Sequence, residues 1–152
     1  MERTVSRQRV YAALLGLGAC ILVCRTILMI AQGYLGLLVP WVAFLLVVEL
    51  VLDLGCLLGS LCWCVAGDPE RARLPLRLGA AATILHALRV LVYALGRTVL
   101  LRDFDVRPER RTGIGEQGGW FWVYFASVLS ILGLIGVLVI WLLRRRARKR
   151  VL

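Results

Sequence analysis

Four long apolar runs fix what this chain can become. They cover residues 10–32, 40–66, 76–101 and 120–143, and each is long enough for a helix to cross a hydrocarbon core of about 30 Å. Between them lie a short turn around Gly33 and Gly36, a polar stretch at 67–75 and a longer polar linker at 102–119. With 61% hydrophobic residues in a chain of 152 and a mean hydropathy of +0.84, there is more apolar surface here than a soluble domain of this length can bury. The expected fold is an all-α membrane protein: one domain, residues 1–152, built as a four-transmembrane-helix bundle.

The opening of the chain, basic up to Arg9 and then apolar, has the layout of a secretory signal, and Leu17-Gly18-Ala19-Cys20 resembles a lipobox. Cleavage before Cys20 would halve the apolar run and leave its remainder without a role, so the first run is expected to stay as a span.

Orientation follows from the basic residues. Arg3, Arg7 and Arg9 precede the first run, Arg71, Arg73 and Arg77 follow the second, and Arg144, Arg145, Arg146, Arg148, Lys149 and Arg150 end the chain. An even number of crossings puts these twelve on one side. The opposite side has Arg102, Arg107, Arg110 and Arg111, offset by Asp103, Asp105, Glu109 and Glu116. That asymmetry predicts a multi-pass protein with both termini cytoplasmic (N-in/C-in); a plasma (inner) membrane is the expected location, and an organellar membrane gives the same charge pattern. Tyr34, Trp41, Trp120 and Trp122 are then expected at the outer interface, and Tyr11, Trp63 and Trp141 at the inner one.

A net charge of +10 with clustered arginine is also the footprint of a nucleic-acid binder. Here the clusters abut membrane spans, where the simpler reading is a topology anchor that attracts anionic lipid headgroups. Membrane lipids are therefore the expected partner of the C-terminal tail, and nucleic acid is not. The glycine-rich stretch 112–119 lacks the lysine of a phosphate-binding loop and reads as an external loop.

The informative residues are those that are polar inside the spans. A charge near the bilayer centre costs at least about 2.5–3.5 kcal/mol on insertion scales, so several of them imply mutual contact. At about 100° per residue, Glu49, Asp53, Cys56, Ser60 and Cys64 share one stripe of the second helix. His86, Arg89, Tyr93 and Arg97 share one on the third, and Tyr11, Gly18, Arg25 and Gln32 recur at heptad spacing on the first. Helical rise puts Arg25, Glu49 and Arg89 near one level, with Asp53 a turn deeper beside His86. The expected network has Glu49 and Asp53 ionised, opposed by Arg25 and Arg89, with His86 bonded to Asp53. The fourth run has no ionisable residue and is expected to stand outside the polar path. Its Ser127, Ser130, Gly133 and Gly136, like Gly55 and Gly59 on the second helix, allow close helix packing, within the chain or in a homo-oligomer.

Five cysteines and one histidine give no closed metal site and no helical disulfide geometry, so no cofactor is expected and the cysteines read as small apolar fillers. Three functions fit the buried polar set. The first is a transporter-like or channel-like pathway for protons, ions or a small polar solute, lined by Arg25, Gln32, Glu49, Asp53, Ser60, His86, Arg89, Tyr93 and Arg97. The second is a noncatalytic accessory or assembly subunit of a larger membrane complex, in which the ion pairs only fix helix register. The third is a membrane-embedded enzyme using Glu49, Asp53 and His86. The ranking follows that order, with catalysis last, because buried charge in a membrane points to function without naming it.

Overall fold

The computed structural model describes residues 2–31, 33–36, 38–95 and 116–149. Four α-helices follow one another: α1 Glu2–Ala31, α2 Pro40–Ala66, α3 Arg73–Leu95 and α4 Glu116–Lys149, with 3-10 turns at Tyr34–Gly36 and Pro69–Ala72. Each helix packs mainly on its neighbour in sequence, and α4 closes the bundle with a lighter contact on α1. Three helical stretches, Val5–Ala31, Pro40–Ala66 and Pro69–Val92, are long and apolar enough to span a membrane. Their outer faces carry exposed Leu17, Leu28, Phe44, Leu58 and Ile84, a surface suited to lipid rather than water.

The helix ends follow from backbone chemistry. Pro40 opens α2, where its missing N–H leaves no bond unmade. Gly67 closes it in the left-handed region at φ 64°, its N–H donating to the Trp63 carbonyl at 2.8 Å. A Cβ on Gly67 would also stand 2.7 Å from Val5 Cγ1, so both conformation and space require glycine there. Asp68 then accepts from the Glu70 N–H at 2.9 Å and caps the short turn that leads into α3.

Two helices are longer than their apolar runs. α1 begins at Glu2, not near residue 10, because neither proline nor glycine interrupts 2–9 and Gln8 is itself buried. α4 continues to Lys149, and Arg144 near its C-terminal end is turned inward, donating to the Pro69 carbonyl. That arginine belongs to the fold rather than to the solvated tail. Arg145 instead lies over the Trp141 ring, 5.4 Å from its centroid.

The core has three layers. One apolar cluster joins Ala12, Leu15, Ala19, Cys56, Trp63 and Leu76 with Ile140. The other, at the opposite end, joins Leu38, Val42, Leu46 and Val92. Charged residues of α1, α2 and α3 lie between them. The inward face of α2 reads Val42, Leu46, Glu49, Asp53, Cys56, Ser60, Trp63, alternating steps of four and three, so a single heptad seam passes through all three layers. Trp63 is 0% exposed and so is no lipid-facing belt residue, whereas Trp41 and Trp141 are exposed.

Small residues let α3 approach its neighbours. A Cβ on Gly59 would meet Pro75 at 3.2–3.6 Å and one on Gly55 would meet Leu78 at 3.1 Å. The glycine pair of α2 therefore serves packing within the chain. Gly133 of α4 faces Thr83, whose Cγ2 would stand 2.7 Å from an added Cβ, while Gly136 has nothing within 4 Å. The side chains of Ser127 and Ser130 lie outside the described residues.

Candidate functional site

Glu49 is the centre of the charged layer. It is 0% exposed, and both of its carboxylate oxygens are engaged. Arg89 donates through Nε to Oε2 at 2.6 Å and through Nη2 to Oε1 at 3.3 Å. His86 Nδ1 forms a hydrogen bond with Oε1, and Arg25 Nη1 stands 3.9 Å from the same oxygen. Three helices thus meet on one carboxylate, the convergence expected from their shared depth. The side-on pairing with Arg89 is the arrangement in which a buried carboxylate is best satisfied.

The histidine partner differs from expectation. His86 pairs with Glu49 and not with Asp53, and its Nδ1 is also 3.1 Å from Arg25 Nη1 and 3.2 Å from Arg89 Nη2. One ring nitrogen therefore faces a carboxylate oxygen and two guanidinium nitrogens. As an N–H it satisfies Glu49, and as a lone pair it satisfies a guanidinium. It can do only one of these at a time. Nε2 is also 3.3 Å from Arg25 Nη1, so Nδ1 can donate to Glu49 while the other ring nitrogen accepts from Arg25.

Asp53 is the second departure. It is 1% exposed, but its Oδ2 has no hydrogen-bond partner among the described residues. It was expected to be paired with an arginine, yet Arg25 and Arg89 both turn to Glu49. Asp53 instead lines a cleft of about 420 Å³ between α1 and α4, floored by α2 and α3. The fourth helix, expected to stand apart from the polar residues, supplies one wall of it through Leu132, Gly136 and Val139. Gly133 and Gly136 of α4 line it as well, at positions where the helix presents no side chain.

The remaining stripe residues divide. Ser60 is buried one turn from Cys56 on the same face, close against Gly16, where an added Cβ would stand 3.3 Å from Ser60 Cβ. Cys56 Sγ donates to the Pro75 carbonyl at 3.4 Å, and Cys64 Sγ reaches the Arg9 carbonyl at 3.7 Å. On α1 the buried stripe is Gln8, Ala12, Leu15, Ala19, Val23 and Thr26, displaced from the expected heptad. Gly18 is exposed, and Tyr11 is only half-buried. Of the described members of that heptad, Arg25 reaches the charged layer. Gln32, Arg97 and the side chain of Tyr93 lie outside the described residues.

No protein-family model, no curated protein and no solved structure matches this chain, so function has to be argued from the site.

Proposed function

We propose that this is a four-span membrane protein of the plasma (inner) membrane, with both termini cytoplasmic, that moves protons, alone or coupled to a small polar solute, through the charged layer of α1, α2 and α3. The observation that carries this reading is the buried pair of His86 Nδ1 with Glu49, the ring's other nitrogen, Nε2, standing 3.3 Å from Arg25 Nη1. An imidazole can exchange a proton with the carboxylate at one ring nitrogen and take up or release one at the other with its heavy atoms in place. Asp53 and Ser60, buried and on the same face of α2, extend that layer toward the cytoplasmic end.

The test is proton flux. The protein is reconstituted in vesicles containing a pH-sensitive dye, and a potential is imposed. His86→Gln keeps hydrogen-bonding capacity but cannot carry the proton, and it is expected to lower flux on the order of 10²-fold, the typical contribution of a positioned proton-transfer group, while the protein elutes normally on size exclusion. Flux equal to wild type would end the transport reading.

A second reading, an accessory or assembly subunit of a membrane complex or homo-oligomer, is favoured by the saturation of Glu49, whose partners all come from within the bundle. Such a cluster fixes helix register without moving anything. In that case wild-type vesicles show no flux above protein-free vesicles, and the chain copurifies with its partners.

Orientation has its own measurement. A cysteine introduced at Thr112 is expected to react with a membrane-impermeant thiol reagent added outside intact cells, and one at Ala147 only after permeabilisation, since the basic excess lies with the termini. The reverse pattern would invert the topology. The basic tail beyond Arg144 is then positioned to meet anionic lipid headgroups.

A further inference from the structure

We propose that the cleft between α1 and α4 is a binding site for a lipophilic amine, an apolar body carrying a protonated nitrogen that pairs with Asp53. This goes beyond proton movement in the charged layer and does not depend on it.

The cleft, about 420 Å³, lies within the size range of small-molecule sites, and its lining is almost wholly apolar. Its walls include Leu14 and Ile21 of α1 and Leu132 and Val139 of α4. All four are also exposed on the outer surface, Leu14 at 57% and Leu132 at 58%. The mouth therefore opens sideways, through the face suited to lipid, and a ligand enters from the hydrocarbon phase. Asp53, its floor, is the middle residue of the 27-residue α2, about 20 Å from either helix end. A phospholipid headgroup does not reach that depth at acceptable cost, because its charge belongs at the interface. A compact amphiphile does.

Hydrogen-bond inventory selects the head. Two other polar side chains line the cleft, and their hydrogens are already committed: Thr83 Oγ1 donates to the Gly79 carbonyl at 2.7 Å, and Cys56 Sγ donates to the Pro75 carbonyl. The cleft thus offers acceptors and no free donor. Asp53 is the one carboxylate among the lining residues, and its Oδ2 is buried with no hydrogen-bond partner among the described residues. A buried carboxylate oxygen in an apolar site is costly until it meets a proton or a donor, and a ligand ammonium supplies both donor and opposite charge. An anionic ligand finds nothing to hold it. The nearby arginines hydrogen-bond elsewhere, Arg89 to Glu49 and Arg25 to His86.

The experiment uses the full chain in phosphatidylcholine nanodiscs and two isosteric probes, 1-adamantylamine and 1-adamantanol, with binding by equilibrium dialysis measured against empty discs. Wild type is expected to bind the amine on the order of tenfold more tightly than the alcohol, the ratio given by one charge-assisted hydrogen bond. Asp53→Asn is expected to erase that preference. Gly136→Leu, which adds a side chain where nothing lies within 4 Å, fills the cleft without touching Asp53 and should weaken both probes. The proposal is overturned if wild type takes up no more amine than empty discs, or if Asp53→Asn retains the preference. It is overturned equally if Gly136→Leu leaves amine binding intact, or if that change dissociates a dimer of a chain that binds no amine, since the cleft then seats a second copy. Amine binding in a protein without proton flux would remove the transport reading and leave this site standing.

Discussion

Replacing Arg89 by Leu is expected to cost about 3–5 kcal/mol of stability, the usual penalty for leaving one member of a buried ion pair alone. Arg89 makes the two shortest-range donations to Glu49 that come from a guanidinium, at 2.6 and 3.3 Å, and Glu49 has no access to water. Arg25 is too distant to replace it at 3.9 Å, and its side chain retains 14% exposure, so it shares its charge with the surroundings. Thermal unfolding in detergent reads the loss. The double replacement Glu49→Gln with Arg89→Leu should recover a large part of it, because removing both charges leaves no orphan. If the two single losses instead add, the residues are not energetically coupled and the three-helix convergence on Glu49 is wrong. Assayed for flux, the same double variant separates the two functional readings. A register lock regains stability and cellular function together, whereas a proton pathway regains stability and stays inactive.

That experiment targets the part of the site that a linear sequence makes legible. Depth is one-dimensional: a rise of about 1.5 Å per residue from Pro40, Pro75 and the basic flanks suffices to bring Arg25, Glu49 and Arg89 to one level, and the chain does bring them together. The ends of α2 were equally readable, because Pro40 and Gly67 act through their own backbones. Which of two carboxylates takes the histidine was not readable. Glu49 and Asp53 are one turn apart on the same face of α2, and rise per residue alone does not choose between them. Helix rotation was legible only where a stripe was unmixed. On α2 the polar residues and the buried seam coincide, while on α1 the seam runs through alanine, leucine and Thr26. There, Gly18 and Tyr11 carried a periodicity that packing did not follow. The cleft was the least accessible of all, because it arises from absent side chains on α4 meeting a carboxylate on α2, two elements far apart in the chain.

Trp63 supplies the second large expected effect, and it bears on how the bundle is held at the C-terminal end of α2. An aromatic residue near a span end is ordinarily read as an interfacial anchor, and for an anchor facing lipid the change to alanine costs little folding stability. Trp63 is instead 0% exposed, packed in the cluster that joins Ala12 and Leu15 of α1, Ala72 of the 3-10 turn and Leu76 of α3. Its carbonyl accepts the Gly67 N–H that closes α2. Removing the ring leaves a void that small, backbone-tight neighbours such as Ala12 and Ala72 have no spare side chain to fill. Trp63→Ala is therefore expected to lose about 3 kcal/mol, the lower end of the range for buried aromatic truncation, because packing rather than transfer from water drives helix association in lipid. Trp63→Phe separates packing from polarity. The indole Nε1 has no hydrogen-bond partner among the described residues, so deleting it removes no bond, and the loss should stay below about 1.5 kcal/mol, as for near-volume-conserving changes. Thermal unfolding of both variants in the same detergent decides. Equal and small losses would return Trp63 to the role of an interfacial anchor, and equal and large ones would mean that the indole nitrogen is held by a partner.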